Sequence, residues 1–287
     1  PLRKQNIAVA GHLCLDLHPD LKSLPANALI TPGKVFEIGN LGIGTGGSVS
    51  NTGISLFKLG VETQLLTCVG DDIVSQMILE SIAVHNPILT ENIKILENLH
   101  GSYTMVFSPE NRDRTLIHYP GTNENFGIEH IDFELLNETA IFHLGYPPLL
   151  PRLVDEDGFE LELLYSKVKE SGVVTSLDLS LPDPHGNTSS ADWKKILKRV
   201  LPFVEIFLPS IEEIVFMSEL NGACASVTFL DDRYQRPRGG YRDILMLFKI
   251  FGYACELQFN IDEVLVIKEG IGHKQYEKER FFFTEKI

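Results

Sequence analysis

Six short apolar runs, each rich in Val, Ile or Leu, alternate along the chain with segments of helical periodicity. The runs are IAVAGHLCLDL, TQLLTCVG, AIFHLG, VVTSLDLS, VEIFLPS and VLVIKEG, and they begin at Ile7, Thr63, Ala140, Val173, Val204 and Val264. In residues 159–172, Leu161, Leu164 and Val168 share one helical face, and Gly172 is a predicted helix stop. This alternation predicts a doubly wound α/β fold around a mostly parallel sheet. Ligands of such folds bind at the carboxyl ends of the strands.

Two stretches depart from this alternation. Residues 19–44 are loop-like, although they contain KVFEIG. Residues 101–121, GSYTMVFSPENRDRTLIHYPG, have the pattern of a hairpin: a strand, a turn at Pro109 to Arg112, and a second strand. Together the two stretches could form a small antiparallel appendage on the main sheet. The alternative is that the hairpin lies at the edge of the main sheet.

Composition and charge exclude several classes of protein. The 287 residues can form one large domain or two small ones, and 44% hydrophobic with 22% charged residues is ordinary for a globular protein. A net charge of -14 argues against a general nucleic-acid binder, because phosphate contacts need a basic surface. No apolar run approaches the length of a membrane span, and no signal peptide opens the chain. We therefore predict no nucleic-acid or membrane partner.

The cysteines predict a reducing compartment. Cys14, Cys68, Cys224 and Cys255 are widely spaced and form no C-x-x-C pair. Cys14 and Cys68 lie in apolar runs, so we expect small buried side chains there. The prediction is a cytoplasmic protein without a zinc site.

A glycine-rich stretch, LGIGTGGSVSNTGISLFKLG at residues 41–60, fits G-x-G-x-x-G at Gly42, Gly44 and Gly47. The acidic pair at residues 71–72 follows at about the spacing of a dinucleotide-binding fingerprint. That fingerprint should directly follow the first strand of a βαβ unit. Here the predicted first strand, residues 7–13, lies about 30 residues upstream, which disfavours a dinucleotide site.

The same stretch suits a polyol better. Paired glycines let a backbone approach a ligand closely, and the helix that follows offers unpaired N–H groups. Asn51, in the first turn, can donate and accept hydrogen bonds, and Asp16, just past the first strand, can accept from two hydroxyls. The alternatives are a local helix cap for Asn51 and an ordinary turn residue for Asp16.

These motifs, taken in order, resemble the ribokinase-like, phosphofructokinase-B family of carbohydrate kinases. NIAVAGHLCLDLHP, GTGGSVSNTGISLFKLG and TCVGDD resemble its amino-terminal half, with Gly46, Gly47, Asn51 and Gly60 matching the first signature. Further matches are Gly121 and Asn123 in PGTNENF, Asp178 in SLDLSLPDP, Glu213 in LPSIEEI with Ser210 replacing an asparagine, and, loosely, Lys268 and Gly270 in VIKEGIGH.

The resemblance implies a fold, an activity and two sets of site residues. The fold is a single ribokinase-like domain over residues 1–287 that diverges after about residue 220, with a β lid from residues 15–44 and 101–121. The activity is ATP-dependent phosphoryl transfer to a hydroxyl of a sugar or related polyol, with Mg²⁺. The substrate-binding residues are Asp16, Gly46, Gly47, Asn51 and Asn123. The nucleotide-side residues are Asp178, Ser210, Glu213, Lys268 and Gly270, with Glu213 holding the metal through water. A homodimer through the lid is also implied, with SYTMVFS as the edge strand.

The sequence departs from the family in one respect. The family's second signature, an Asp-Thr-x-Gly-Ala-Gly-Asp stretch that supplies the catalytic aspartate and an anion hole, does not occur in these residues. The catalytic residue is therefore unknown, and we expect only trace turnover from a chain that ends at Ile287. Three explanations stay open: a truncated or frame-disrupted kinase, a non-catalytic sugar-binding pseudokinase, or a different carboxylate within residues 221–287.

Overall fold

The computed structural model describes residues 6–21, 31–108, 114–186, 188–210, 212–213, 216–217, 226–232, 243–250 and 253–260. The predicted turn at Pro109 to Arg112 and the nucleotide-side residues Lys268 and Gly270 lie outside these residues. The chain divides into two compact units, Pro1–Leu220 and Asn221–Ile287.

The first unit is built around a five-stranded central sheet in which every pair of neighbours is parallel. Its order is β11-β10-β9-β1-β4. The strands are β1 (Asn6–Gly11), β4 (Thr63–Leu66), β9 (Thr139–Gly145), β10 (Val174–Asp178) and β11 (Ile206–Phe207). The helices of this unit include α1 (Ser55–Lys58), α2 (Ile73–Ala83), α3 (Pro151–Glu170) and α4 (Trp193–Val200). The predicted α/β fold with a mostly parallel sheet is confirmed.

The order of the sheet contains a topological switch point. The chain leaves β1 for β4 on one side and later returns to β9 on the other side of β1. At such a reversal the connections diverge and leave a crevice outside the carboxyl ends of the two central strands. The crevice beside the ends of β1 and β9 is therefore the expected binding position.

Helix α3 follows the predicted pattern and adds a break. Leu161, Leu164 and Val168 are buried on one face, and Gly172, with φ +70°, follows the helix end as predicted. Near its beginning, residues 155–158 leave helical geometry, so α3 consists of two helical pieces. A Cβ at Gly158 would lie 2.8 Å from the side chain of Ile196 in α4, so a glycine allows close packing at the break.

The first apolar run is two strands rather than one. We predicted a single strand over residues 7–13, but β1 ends at Gly11 and β2 (Cys14–Pro19) begins in a different sheet. Gly11 has φ +115°, and a Cβ there would lie 2.4 Å from the carbonyl oxygen of Gly145. Only glycine permits both the turn and the close approach to β9.

The small sheet has four strands in the order β3-β2-β7-β8. Its other members are β3 (Leu41–Gly46), β7 (Tyr103–Phe107) and β8 (Thr115–Tyr119). β7 and β8 pair antiparallel, which confirms the predicted hairpin, and β7 pairs with β2. The hairpin therefore belongs to a separate small sheet and not to the edge of the main sheet. The predicted purely antiparallel pairing is wrong at one place, because the β2–β7 pair is parallel.

The glycines of G-x-G-x-x-G do not form a nucleotide loop. Gly42 and Gly44 lie inside β3, which pairs antiparallel with β2 and belongs to no βαβ unit. Asp72 caps α2, because its Oδ1 accepts from the Ser75 N–H at 3.0 Å and from the Gly101 N–H at 3.0 Å. A short parallel pair, β5 (Cys68–Val69) and β6 (Lys94–Ile95), lies nearby in sequence.

The second unit contains an antiparallel meander that the sequence pattern did not predict. Its strands are β12 (Ser226–Asp232), β13 (Asp243–Ile250) and β14 (Tyr253–Asn260), paired in that order. Among the helices that the structure describes, none has the length and apolar character needed to cross a bilayer.

Candidate active site

A cavity of about 830 Å³ lies beside the switch point of the central sheet. Its wall includes residues that directly follow β1 and β9, namely His12 and Tyr146, and residues of the small sheet such as Asp16 and His118. Its volume is within the range of small-molecule sites. The predicted substrate-side residues Asp16, Gly47 and Asn51 all line it.

Asp16 lies in the small sheet and not at a strand end. We placed it just past the first strand, but it is the third residue of β2, opposite Gly44 and two residues from Cys14. The Cys14 thiol donates to Asp16 Oδ1 at 3.3 Å. A Cβ at Gly46 would lie 2.3 Å from Asp16 Oδ2, so Gly46 leaves the space that this carboxylate occupies. Gly46 thus acts through Asp16.

Gly47 and Asn51 begin the helix that borders the cavity. Gly47 has φ +89°, and a Cβ there would lie 2.3 Å from the carbonyl oxygen of His12. The helix opens as a π-helix, Val49–Ile54, in which the Asn51 N–H donates to the Gly47 carbonyl at 2.8 Å. The wide turn is typical of functional positions. The predicted position of Asn51 in the first turn is confirmed. Asn51 and Tyr146 both line the cavity.

Tyr146 is a site residue that the sequence analysis missed. It directly follows β9, has φ +64°, and donates its N–H to the Asp178 carbonyl at 3.2 Å. Burial, followed by the charge of Asp178, raises the pKa of Tyr146. Its position at the carboxyl end of a predicted parallel strand was the available signal.

Two histidines face each other across the cavity wall. His12 Nε2 lies 3.4 Å from His118 Nε2, and His118 Nδ1 lies 2.9 Å from Thr104 Oγ1. Burial, followed by the charge on His118, lowers the pKa of His12 to about 3, and burial also lowers the pKa of His118. Both rings are therefore neutral at pH 7. Neither was singled out from sequence, because the run that carries His12 was taken as one strand.

Asn123 lies away from the cavity lining. It is fully buried, its Nδ2 donates to the Leu13 carbonyl at 2.9 Å, and its Oδ1 accepts from the Leu13 N–H at 3.2 Å. This amide holds the short connection between β1 and β2. The geometry gives Asn123 a positioning role instead of the predicted contact with substrate.

Two carboxylates of the predicted nucleotide side interact. Asp178 ends β10, and burial followed by the charge of Glu213 raises its pKa to about 7. Ser210 and Glu213 bond each other reciprocally: Glu213 Oε2 accepts from the Ser210 N–H at 2.7 Å, and Ser210 Oγ accepts from the Glu213 N–H at 3.3 Å. This capping arrangement orients the Glu213 carboxylate. Two neighbouring carboxylates that repel each other offer suitable oxygen ligands for Mg²⁺.

Comparison with known protein families decides the affiliation. The profile of the pfkB family carbohydrate kinases matches residues 4–236. The chain belongs to the pfkB family of carbohydrate kinases. The predicted resemblance and the predicted enzyme class, a sugar kinase, are thereby confirmed. No curated protein matches the chain significantly.

Solved structures agree with the family on the fold. A fructokinase with bound ATP from Xylella fastidiosa is 15% identical, with a TM-score of 0.61 over 88% of this chain and 77% of that one. Ribokinase from Arabidopsis thaliana, complexed with ribose and ATP, is 16% identical, with a TM-score of 0.60 over 90% of this chain and 78% of that one. Ribokinase from Thermotoga maritima is 17% identical, with a TM-score of 0.55 over 89% and 78%.

Proposed function

We propose that this pfkB family member binds a sugar or related polyol in the cavity beside the switch point and phosphorylates one of its hydroxyls with ATP. In this reaction the hydroxyl oxygen bonds to the γ-phosphorus, the bridging bond to ADP breaks, and the hydroxyl proton is released. The observation that carries the proposal is that Asp16, Gly47 and Asn51 line one cavity. Asp16 offers acceptors and Asn51 offers both donor and acceptor, which matches the groups that a polyol presents.

The small sheet has the position of a lid in this proposal. Its strands carry Asp16 and His118 into the wall of the cavity, while the central sheet contributes the turn that contains Tyr146. A substrate in the cavity would contact both sheets. Enclosure by the small sheet would exclude water, which competes with the sugar hydroxyl for the phosphoryl group.

ATP and Mg²⁺ are part of the proposal. Bound ATP in the fructokinase from Xylella fastidiosa supports ATP as the phosphoryl donor here. The carboxylates of Asp178 and Glu213 would hold Mg²⁺, in part through water. Burial, followed by the charge of Glu213, raises the pKa of Asp178, and a cation would offset both effects. When bound, the ion supplies charge neutralisation for the phosphates.

We also infer a homodimer through the small sheet and a cytoplasmic location. Leu41 and Ile43 of β3 and Ile117 of β8 expose about half of their surface. Apolar residues exposed in this number on one small sheet are typical of an interface.

The free, buried thiols of Cys14 and Cys68 support a reducing compartment.

Calorimetric titration with a panel of aldoses, ketoses and polyols tests the substrate class. We expect at least one compound to bind with a dissociation constant between about 1 μM and 1 mM, the usual range of enzyme substrates. Asp16→Asn keeps the shape of the side chain and should weaken binding at least tenfold. Asp71→Asn, at an exposed position outside the cavity lining, should leave binding unchanged.

Mass spectrometry of the products tests the transfer itself. The expected product is a sugar phosphate that forms only when both ATP and the binding sugar are present, and for these 287 residues only in the trace amount expected without the second signature. Consumption of ATP without a sugar phosphate, or equal sugar affinity in Asp16→Asn and the unmodified chain, contradicts the proposed function.

A further inference from the structure

A second kind of ligand set lies in the cavity wall. His12, Cys14 and His118 each offer one ligand atom, and these atoms lie within 4.8 Å of one another. His12 belongs to the connection between β1 and β2, Cys14 begins β2, and His118 lies in β8, so two segments far apart in sequence converge. We propose that these three residues form a site for a thiophilic divalent cation such as Zn²⁺, with its fourth coordination position open to the cavity.

The distance between the histidines fits this ion. Zinc binds imidazole nitrogens at about 2.0–2.1 Å in a tetrahedron, whose edge between two nitrogens is then about 3.4 Å. The His12 Nε2 to His118 Nε2 distance is 3.4 Å. In the metal-free protein the two rings form a long hydrogen bond at this distance. The rings are thus spaced as two ligands of one cation would be.

The hydrogen bonds around His118 leave the required lone pair free. Thr104 Oγ1 donates its single proton to Cys14 Sγ at 3.4 Å. The contact between Thr104 Oγ1 and His118 Nδ1 at 2.9 Å therefore needs the proton on Nδ1. His118 Nε2 then carries a lone pair directed towards His12. Histidine ligands of metals are oriented by such a bond on the other ring nitrogen.

Two hydrogen bonds fix the position of the Cys14 thiol. Burial, followed by the charge of Asp16, raises the pKa of this thiol, so a cation that binds here has to displace its proton. Cys14 is buried, donates to Asp16 Oδ1 at 3.3 Å, and accepts from Thr104. Metal binding deprotonates a coordinating thiol, so one proton leaves Cys14 for solvent when the metal–sulfur bond forms. No electron is transferred. Thr104, which contacts both Cys14 and His118, acts as a positioning residue.

The open position gives the site a function in the cavity. His12, Cys14 and His118 all line the same cavity as Asp16. Three protein ligands and one open position is the arrangement of zinc sites that accept water or a substrate oxygen. The assignment depends only on these ligand atoms, so it stands independently of the kinase function proposed above. It is an alternative to the prediction, made from cysteine spacing alone, that the chain has no zinc site.

Titration of the metal-free full chain with Co²⁺ tests the site. Cobalt reports tetrahedral nitrogen and sulfur ligands by intense visible bands and by a thiolate-to-cobalt charge-transfer band in the near ultraviolet. Replacing Cys224 and Cys255 by serine in the background removes thiols that could contribute elsewhere. We expect the charge-transfer band with saturation at micromolar Co²⁺, and displacement by Zn²⁺.

Four variants localise the signal. Cys14→Ser should abolish the charge-transfer band, and Cys68→Ser, at a buried cysteine that is not one of the three ligands, should keep it. His118→Gln should weaken Co²⁺ affinity at least tenfold, and Thr104→Val about tenfold, because it removes only the positioning bond. Thermal melting of each variant verifies folding, and if Cys14→Ser does not fold, His118→Gln carries the test. Absence of any band at millimolar Co²⁺, or a band that persists unchanged in Cys14→Ser or His118→Gln, overturns the proposal.

Discussion

The residues at the cavity have two roles: some line the cavity, and others hold the lining residues in place. Asp16 and Asn51 offer polar groups to the cavity, while Gly46 and Asn123 act one step behind them by leaving space or holding the main chain. All four residues are recognisable in the sequence, because the motif contains both the residues that contact a ligand and the residues that support them. The motif does not distinguish residues that line the cavity from residues that support them, because this difference depends on the atoms that each side chain contacts in the folded protein. His12 and His118 were missed because their 3.4 Å contact joins positions 106 residues apart.

Gly47→Ala should lower the free energy of unfolding by at least about 2 kcal/mol, from the strained backbone conformation and the displacement of His12. The residue has φ +89°, and the new Cβ would lie 2.3 Å from the His12 carbonyl oxygen. Gly44→Ala is the matched control, because nothing lies within 4 Å of its Cβ position, and it should change stability by no more than about 0.5 kcal/mol. Urea denaturation compares the two. Equal stabilities would show that the close approach to His12 is not rigid.

His143 should make stability depend on pH. Burial lowers its folded pKa to about 4 from 6.5, and its Nδ1 bonds Ser176 Oγ at 3.0 Å. Below pH 6.5 the unfolded chain binds the proton more readily, so the free energy of unfolding falls as pH decreases from 6.5 towards 4. The part due to His143 is about 3 kcal/mol.

The test subtracts the pH profile of His143→Asn from that of the unmodified chain. Asparagine can keep the bond to Ser176 but does not titrate, and the carboxylates common to both proteins cancel in the difference. We expect the difference to change between pH 6.5 and 4 and to be flat above pH 7. A difference that is flat throughout would contradict the burial of a neutral His143.

At the scale of elements, apolar periodicity predicted well several strands of the central sheet, including its edge strand β4. The runs at β4, β9 and β10 became parallel strands because both of their faces are covered, which imposes a continuous apolar pattern. The break between β1 and β2 was hidden, since both pieces are apolar and only the approach of Gly11 to Gly145 reveals the turn. The break inside α3 was also not predictable from the sequence, because it depends on the close packing of Gly158 against Ile196.

Helix α3 also anchors the segment that follows the small sheet. Arg152 donates Nε and Nη2 to the two carboxylate oxygens of Glu160 at 2.9 and 2.8 Å and also bonds Glu129. Glu160 Oε1 in turn accepts from the Ile128 N–H at 2.9 Å. The segment that includes Asn123 therefore leads directly into this network.

Arg152→Lys should destabilise the chain by about 1–2 kcal/mol, because lysine cannot form the bidentate contact. The value is discounted for solvent screening, since the Arg152 side chain is 38% exposed. Lys169→Ala, which breaks one exposed pair with Glu205, is the control and should cost no more than about 1 kcal/mol. Thermal melting measures both. Equal losses of stability in Arg152→Lys and Lys169→Ala would show that the Arg152 network contributes no more than a simple surface ion pair.

The whole molecule presents apolar surface on the small sheet, and the predicted dimer would cover it. Ile43 is 49% exposed in β3, and Ile88 is 55% exposed in a short 3₁₀ segment outside that sheet. Ile43→Lys should shift the sedimentation coefficient from dimer to monomer, because it places a charge in the interface. Ile88→Lys should leave it unchanged. A monomer before any substitution, or a dimer that tolerates Ile43→Lys, would contradict this interface.

The position of β1 in the sheet order has a consequence for how the protein is made. β1 is the first strand described, but it is central, and its partner β9 follows it by more than 100 residues, with Ile7 opposite Ile141. The nearer partner β4 is complete much earlier, with Ile7 opposite Thr63. During synthesis, therefore, β1 has one edge paired and one edge open until residues 139–145 emerge. Such long-range pairing slows folding and leaves an open apolar edge that favours association with other chains. The binding crevice needs both β1 and β9, so it cannot form before residues 139–145 emerge, and nascent chains that end before these residues expose the open edge of β1.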